Sequence, residues 1–343
     1  MTAKRNTIFF AVVLLAGLFT CSDDPYPVYN EGEVLWQVTE LPVWFTYSEM
    51  EPAITPDGKY LIFRSVYSDF PNHTRLMKKD LTTEEETMIT AFGYGIDLSP
   101  DGRWVAFNSS YLSPDGRWVA FNSSYGVISK IKLNGDSLLR LSVLPTGSDF
   151  SPTWSPDGKS IVYVHHGGGA SDPSGLWHIL TNRTSNEYLF QSGGTPDFFP
   201  DGNRIISGKS IDNMSIWRKF LIHDIETKME IARLNATKDE DNRYPKVSPD
   251  GNHIVYWNTK GVYVMDADGS DVFKVVPHKH FYEQKQGDYL GFMSMSPSWH
   301  PDGKHIVYQH FAITEHIICP DNMYCTYSEA FKGIASIRLL RIK

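Results

Sequence analysis

The sequence predicts an all-β fold: a six-bladed β-propeller of four-stranded antiparallel blades, with an N-terminal strand closing the last blade. Three observations predict it. A Pro-Asp-Gly phrase recurs six times at nearly even intervals, alternating strand-like runs flank each copy, and one such run without a blade of its own precedes the first copy. The phrase reads EPAITPDGKYLIF at Glu51–Phe63, DLSPDGRWVAF at Asp97–Phe107 and SPTWSPDGKSIVY at Ser151–Tyr163. It continues as GTPDFFPDGNRII at Gly194–Ile206, YPKVSPDGNHIVY at Tyr244–Tyr256 and SPSWHPDGKHIVY at Ser296–Tyr308. Its aspartates stand at 57, 101, 157, 201, 250 and 302, so the steps are 44, 56, 44, 49 and 52.

Each phrase has the chemistry of a β-hairpin. Proline presets φ in the turn, aspartate can hold nearby backbone amides, and glycine supplies a positive φ. An alternating strand follows, as in Ile161-Val162-Tyr163-Val164. Two further runs complete the unit. In the fifth repeat they are Gly261–Met265 and Val272–Val276, joined by the turn Asp266-Ala267-Asp268-Gly269. Four antiparallel strands about every 45 residues make a propeller blade. The phrases resemble the β-propeller repeats of the TolB family, over about residues 34–343. TolB proper carries a separate α/β domain ahead of its propeller. Only a short run separates Cys21 from the first candidate strand here, so that domain and its role in the Tol system are not expected of this chain.

The step of 56 has its own explanation. Leu98–Tyr111 and Leu112–Tyr125 are the same 14 residues, LSPDGRWVAFNSSY, in tandem. Subtracting 14 from 56 leaves 42, in line with the other steps. One copy within 98–125 should supply the inner hairpin of blade two, and the other should extrude as a loop or peripheral hairpin. At the end of the chain, Ser296–Trp299, His305–Phe311 and Ile334–Ile342 offer three strands for blade six. Val34–Thr39 is expected as the fourth, because closing the ring removes open sheet edges.

Residues 1–20 read as a lipoprotein signal peptide. Lys4 and Arg5 form a positive n-region, and Ile8–Phe19 an apolar stretch too short to span a bilayer comfortably. The stretch ends at Leu18-Phe19-Thr20-Cys21, which resembles a lipobox with Cys21 as the lipidated residue; an ordinary secretory signal is the alternative. Residues 21–33 are then an extended tether, and the expected location is the outer membrane, lipid-anchored, facing the periplasm or the cell surface. In such a compartment Cys319 and Cys325 are expected to form a local disulfide, with a metal pair as the rival reading. The formal charge is −8, and it becomes −10 without Lys4 and Arg5. With no basic stripe, nucleic acid is not an expected partner.

If strands a to d run outward from the axis, the a–b and c–d turns share one face and are all tight. The b–c and d–a connections share the other face and hold every long segment, so a binding surface is expected there. Candidates for ligand contact are Trp44, Tyr47, His165, His166, Arg243, Tyr282 and Glu283. His278 and His280 alternate along an extended run, which puts both rings on one side, and with His165 they could hold one divalent metal. Exposed loop histidines and lid-packing aromatics are the alternatives. No G-x-S-x-G elbow or other nucleophile constellation is visible. The expected function is therefore a non-enzymatic envelope module that binds a protein or glycan partner without a cofactor. The alternative is a metal-dependent carbohydrate-active enzyme similar to oligogalacturonate lyases, with its histidines on the loop-rich face.

Overall fold

The computed structural model describes residues 32–38, 51–66, 74–91, 93–110, 126–142, 147–167, 172–191, 194–210, 217–234, 236–237, 242–278, 291–317 and 330–342. These residues form six four-stranded antiparallel sheets and no helix. Blade 1 is β2 (Ala53–Ile54), β3 (Tyr60–Val66), β4 (Thr74–Asp80) and β5 (Glu86–Ala91). Blade 2 is β6 (Tyr94–Leu98), β7 (Trp104–Ser110), β8 (Gly126–Lys132) and β9 (Leu139–Arg140). Blade 3 is β10 (Ser148–Trp154), β11 (Ser160–His166), β12 (Gly175–Leu180) and β13 (Asn186–Phe190). Blade 4 is β14 (Asp197–Phe198), β15 (Arg204–Ser210), β16 (Trp217–Asp224) and β17 (Met229–Leu234). Blade 5 is β18 (Arg243–Val247), β19 (His253–Asn258), β20 (Gly261–Asp266) and β21 (Phe273–Pro277). Blade 6 is β22 (Gly291–Trp299), β23 (His305–Ile317), β24 (Ala330–Arg341) and, outermost, β1 (Glu33–Val38).

The predicted closure by the N-terminal strand is observed, one residue earlier than the expected Val34–Thr39. β1 pairs antiparallel with β24, Val38 opposite Ala335 and Glu33 opposite Leu339. Trp36 of β1 then reaches into blade 1, with its ring 4.9 Å from that of Phe63. Buried Lys79 on β4 donates to the Leu35 carbonyl at 2.7 Å and pairs with Glu84. The first copy of the tandem repeat supplies the inner hairpin of blade 2, since Leu98 ends β6 and β7 follows. The second copy, 112–125, lies outside the described residues, as do Cys21, Cys319 and Cys325.

The turn chemistry is as the phrase demands. Thr55, Ser99, Ser155 and Ser248 each donate a hydroxyl hydrogen bond to the turn aspartate at 2.5–2.7 Å. The same hydroxyl oxygens accept the amide five residues on, at 2.9–3.0 Å. The turn glycine must be glycine on two counts. At Gly102 φ is +65°, and a Cβ there would come within 3.1 Å of Pro56 in the turn of the preceding blade.

The core lies between blades. Ile62, Leu76 and Ile89 of blade 1 meet Ile96, Val105, Phe107 and Ile131 of blade 2. Equivalent clusters fill the other blade junctions, including Trp36, Val307 and Ile337 of blade 6 against Leu61 and Phe63 of blade 1. The sixth residue after the turn aspartate is the fully buried aromatic of its junction: Phe63, Phe107, Tyr163, Tyr256 and Tyr308. Blade 4 has Ser207 at that place.

Phe107→Ala should therefore lower unfolding stability by about 3–5 kcal/mol. Urea titration measures this, and an exposed change such as Met229→Ala serves as the near-neutral control.

A second prediction concerns acid. His310 on β23 is 3% exposed. Burial, then the Arg338 guanidinium and His278, push its pKa down to about 3. The unfolded chain takes up a proton near 6.5 that the folded chain refuses until about 3. Stability should thus fall as the pH drops from about 6.5 towards 3, by at most ~1.4 kcal/mol per pH unit from this group. Denaturation midpoints at pH 7 and pH 5 should differ, and His310→Gln should narrow the gap.

Candidate functional site

The inner strands run from the loop-rich face down to the Pro-Asp-Gly turns, and in five of the six blades a local irregularity sets the lining of the axis. Six residues before the turn aspartate, Glu51, Gly95, Ser151, Tyr244 and Ser296 have φ of +47° to +58°. Four ladders skip register there, between Tyr94 and Asp97, Phe150 and Thr153, Arg243 and Lys246, and Met295 and Ser298. Such bulges re-aim side chains. Two residues further on, Asp97, Thr153, Asp197 and Lys246 converge on the axis.

Lys246 Nζ lies 2.8 Å from Asp197 Oδ1 and 3.5 Å from Asp97 Oδ1. Blades 2 and 5 stand opposite one another in a ring of six, so this ammonium spans the channel. Asp97 also accepts the Trp154 amide at 2.7 Å, and Asp197 the Val247 amide at 2.7 Å. Glu51 accepts the Gly95 amide at 2.6 Å. Each carboxylate therefore pins its own blade to the next. Burial raises the pKa of Asp97 against the pull of Lys246, and that of Glu51 against the pull of Arg64. Burial alone would depress Lys246, but Asp197 and Asp97 override it and hold the ammonium well above the ordinary lysine value.

Above this floor, a cavity of about 330 Å³ opens between blades 3, 4 and 5. It exists because blade 4 is pared down there. A Cβ on Gly194 would meet the Gly208 backbone at 2.6 Å, so at these two positions no side chain enters the space. His166 and Arg243, both expected from the sequence, line it together with Phe150, Phe220 and Tyr244. The His166 ring meets Phe150 edge-on at 5.2 Å, and burial and His165 lower its pKa, which favours the neutral imidazole. The Arg243 guanidinium lies 5.6 Å from the centre of the Trp257 ring, on which Tyr244 stacks. Ser151, Thr195 and Tyr244 also border a smaller cavity of about 50 Å³ below, which Glu51, Asp97 and Lys246 enclose. The arrangement is a two-tier funnel, with an aromatic mouth carrying one cation above a charge-compensated floor.

The remaining expected residues fall elsewhere. His165 is fully buried behind the mouth, with Nδ1 2.6 Å from Asp149 and Nε2 2.9 Å from Asp172. Only Nδ1 makes a hydrogen bond with its carboxylate, and Nε2 stands close to Asp172 without hydrogen-bond alignment, in a ring that is wholly buried. His278 is placed after β21, its Nδ1 3.1 Å from the Thr259 carbonyl. Trp44, Tyr47, His280, Tyr282 and Glu283 lie outside the described residues. Sequence reading missed Asp97, Asp197 and Lys246. Their signal was present: charged residues four places before the turn aspartate, on strands otherwise meant to be buried.

A funnel of this kind at the loop-rich end of a closed six-bladed ring defines a β-propeller with an open axial mouth. No protein-family model matches the chain, and no curated protein matches it. Solved structures do. TolB from Acinetobacter baumannii is similar at TM-score 0.51 and 24% identity, over 65% of this chain and 52% of its own, so the match spans about half of that protein. The putative TolB from Agrobacterium tumefaciens is similar at TM-score 0.55 and 18% identity, over 90% of this chain and 94% of its own. An oligogalacturonate lyase in complex with manganese reaches TM-score 0.48 at 15% identity, over 84% and 76%, a likeness at which no chemistry transfers. The chain is a TolB-like six-bladed β-propeller.

Lys246→Met should destabilise the protein by on the order of 3 kcal/mol, because it strands two carboxylates at the axis. Adding Asp97→Asn and Asp197→Asn to it should restore most of the loss, since the amide oxygens still accept from Trp154 and Val247. Thermal melts of the single and triple variants check both halves.

Proposed function

We propose that the protein is a non-enzymatic binding module of the cell envelope that takes a protein partner at the axial mouth. The observation that carries this reading is the division of labour in the funnel. The charged groups of the floor are committed to one another and to amides of the next blade. The mouth holds a cavity walled by Phe150, Phe220 and Tyr244, with Arg243 and a neutral His166 at its edge. Aromatic walls with one guanidinium suit an apolar side chain flanked by a carboxylate, the mixture a peptide segment offers. The TolB-like fold supports an envelope location, and anchoring through Cys21 rests on the N-terminal signal alone. The alternative of a metal-dependent carbohydrate-cleaving enzyme draws no support from His165, which is wholly buried and not among the residues that line the cavity.

The test is comparative capture from envelope extracts, followed by affinity measurement on the captured protein. Arg243→Ala and Thr195→Trp, the second a cavity filler, should each weaken binding at least tenfold, about 1.4 kcal/mol, at unchanged melting temperature. A partner held equally by wild type and both variants overturns the assignment of the mouth.

A further inference from the structure

The tight-turn face, remote from the funnel, carries a constellation of its own. In four of the six turns the residue two places before the aspartate is the Thr or Ser whose hydroxyl organises the hairpin. In the sixth turn, between β22 and β23, that residue is His300, and the residue three places after the aspartate is also histidine, His305. Both rings turn their Nδ1 atoms onto one carboxylate. His300 Nδ1 is 3.1 Å from Asp302 Oδ1, and His305 Nδ1 is 2.6 Å from Oδ2. One ligand atom from each of the three residues lies within 4.8 Å of the others, and no other such trio of His, Cys, Asp or Glu occurs among the described residues.

The contacts within the trio are in conflict. The Asp302 amide points at His300 Nδ1 from 3.2 Å, which asks that nitrogen to accept, while Asp302 Oδ1 at 3.1 Å asks it to donate. Neither tautomer satisfies both. A cation held by Nδ1 and Oδ1 removes the repulsion of the two acceptors and takes over the Nδ1 lone pair at which the Asp302 amide points. The carboxylate is also held in place, because its Oδ1 accepts the Lys304 amide at 2.8 Å and the His305 amide at 3.1 Å.

We propose that His300, Asp302 and His305 form a binding site for a divalent transition ion of the zinc class. Two imidazoles and a carboxylate are the donor set of such ions, and magnesium or calcium would demand oxygen alone. In a tetrahedral site with bonds of about 2 Å, neighbouring ligand atoms stand about 3.3 Å apart. The His300 contact already has nearly this spacing. The His305 contact reaches it by rotation of a side chain that is 28% exposed. Water completes the coordination. The site also has a structural address. His300 Nε2 lies 4.0 Å from where a Cβ of Gly58 would stand, so the ion sits where the last turn abuts the first.

The experiment titrates metal-free full chain with Zn2+ by calorimetry and with Co2+ by visible absorption. It compares wild type with His300→Ser, which restores the residue of the other turns, and with His305→Tyr, the residue of the first turn. Wild type should bind one equivalent that each variant loses or binds at least tenfold more weakly, with the Co2+ band diminished to match. Zinc should raise the melting temperature of wild type alone, since a ligand of the folded state stabilises it. Melting without metal shows which variants fold, and either one suffices. Equal zinc stoichiometry and affinity in wild type and a folded variant, whether zero or more equivalents, overturns the proposal.

Discussion

No blade of this protein can bury its own faces. Each four-stranded sheet is apolar on both sides, and every hydrophobic cluster among the described residues straddles two neighbours. The fold therefore depends on one constraint, that the first and last blades meet with the same apolar contact as the rest. β1 meets it by serving as the outer strand of blade 6 while inserting Trp36 beside Phe63 of blade 1. Lys79 reinforces the seam by reaching the Leu35 carbonyl from the neighbouring blade. Such a ring behaves unlike an open solenoid, where the end repeats can fray independently. Here the loss of one junction opens two edges.

The axis repeats this logic with polar groups. Six inner strands come too close together there for large apolar side chains, and their bulges aim what they carry at the centre. Asp97 and Asp197 use one oxygen each on the amide of the next blade and the other on Lys246. The groups that hold the ring are thus also the floor of the funnel. The mouth above differs between sectors. Arg64 reaches over Tyr94 at one junction, whereas Val164 and Gly208 leave the corresponding space open at blades 3 and 4. The cavity thus arises by subtraction in one sector of the ring.

Much of this was legible in the sequence because a hairpin turn is a local event. Pro-Asp-Gly with a preceding hydroxyl dictates its own hydrogen bonds, so blade number, strand order and the use of a single tandem copy followed from spacing, whereas which of two identical copies serves did not. His166 and Arg243 were legible too, as polar residues at the ends of strands that open on the loop-rich face. His165 was not. Alternation along β11 turns it inward, and its partners Asp149 and Asp172 lie on other segments, so nothing local marks it as buried. The Lys246 bridge depends on which blades stand opposite one another, a fact of the closed ring and not of any one repeat.

The strands of blade 6 are longer than their counterparts. β11 ends nine residues after its turn aspartate (157 to 166), whereas β23 ends fifteen after its own (302 to 317), six residues further. At about 3.4 Å per residue this adds roughly 20 Å of ladder on the loop-rich side. β24 accompanies it throughout, with Ala330 opposite Ile317. Among the described residues the loop-rich side is therefore lopsided, with this extended ladder on one flank and the 330 Å³ cavity at blades 3 to 5 away from it. A partner seated at the proposed mouth would have the ladder as a wall on one side only, so the direction of its approach would matter as well as its chemistry.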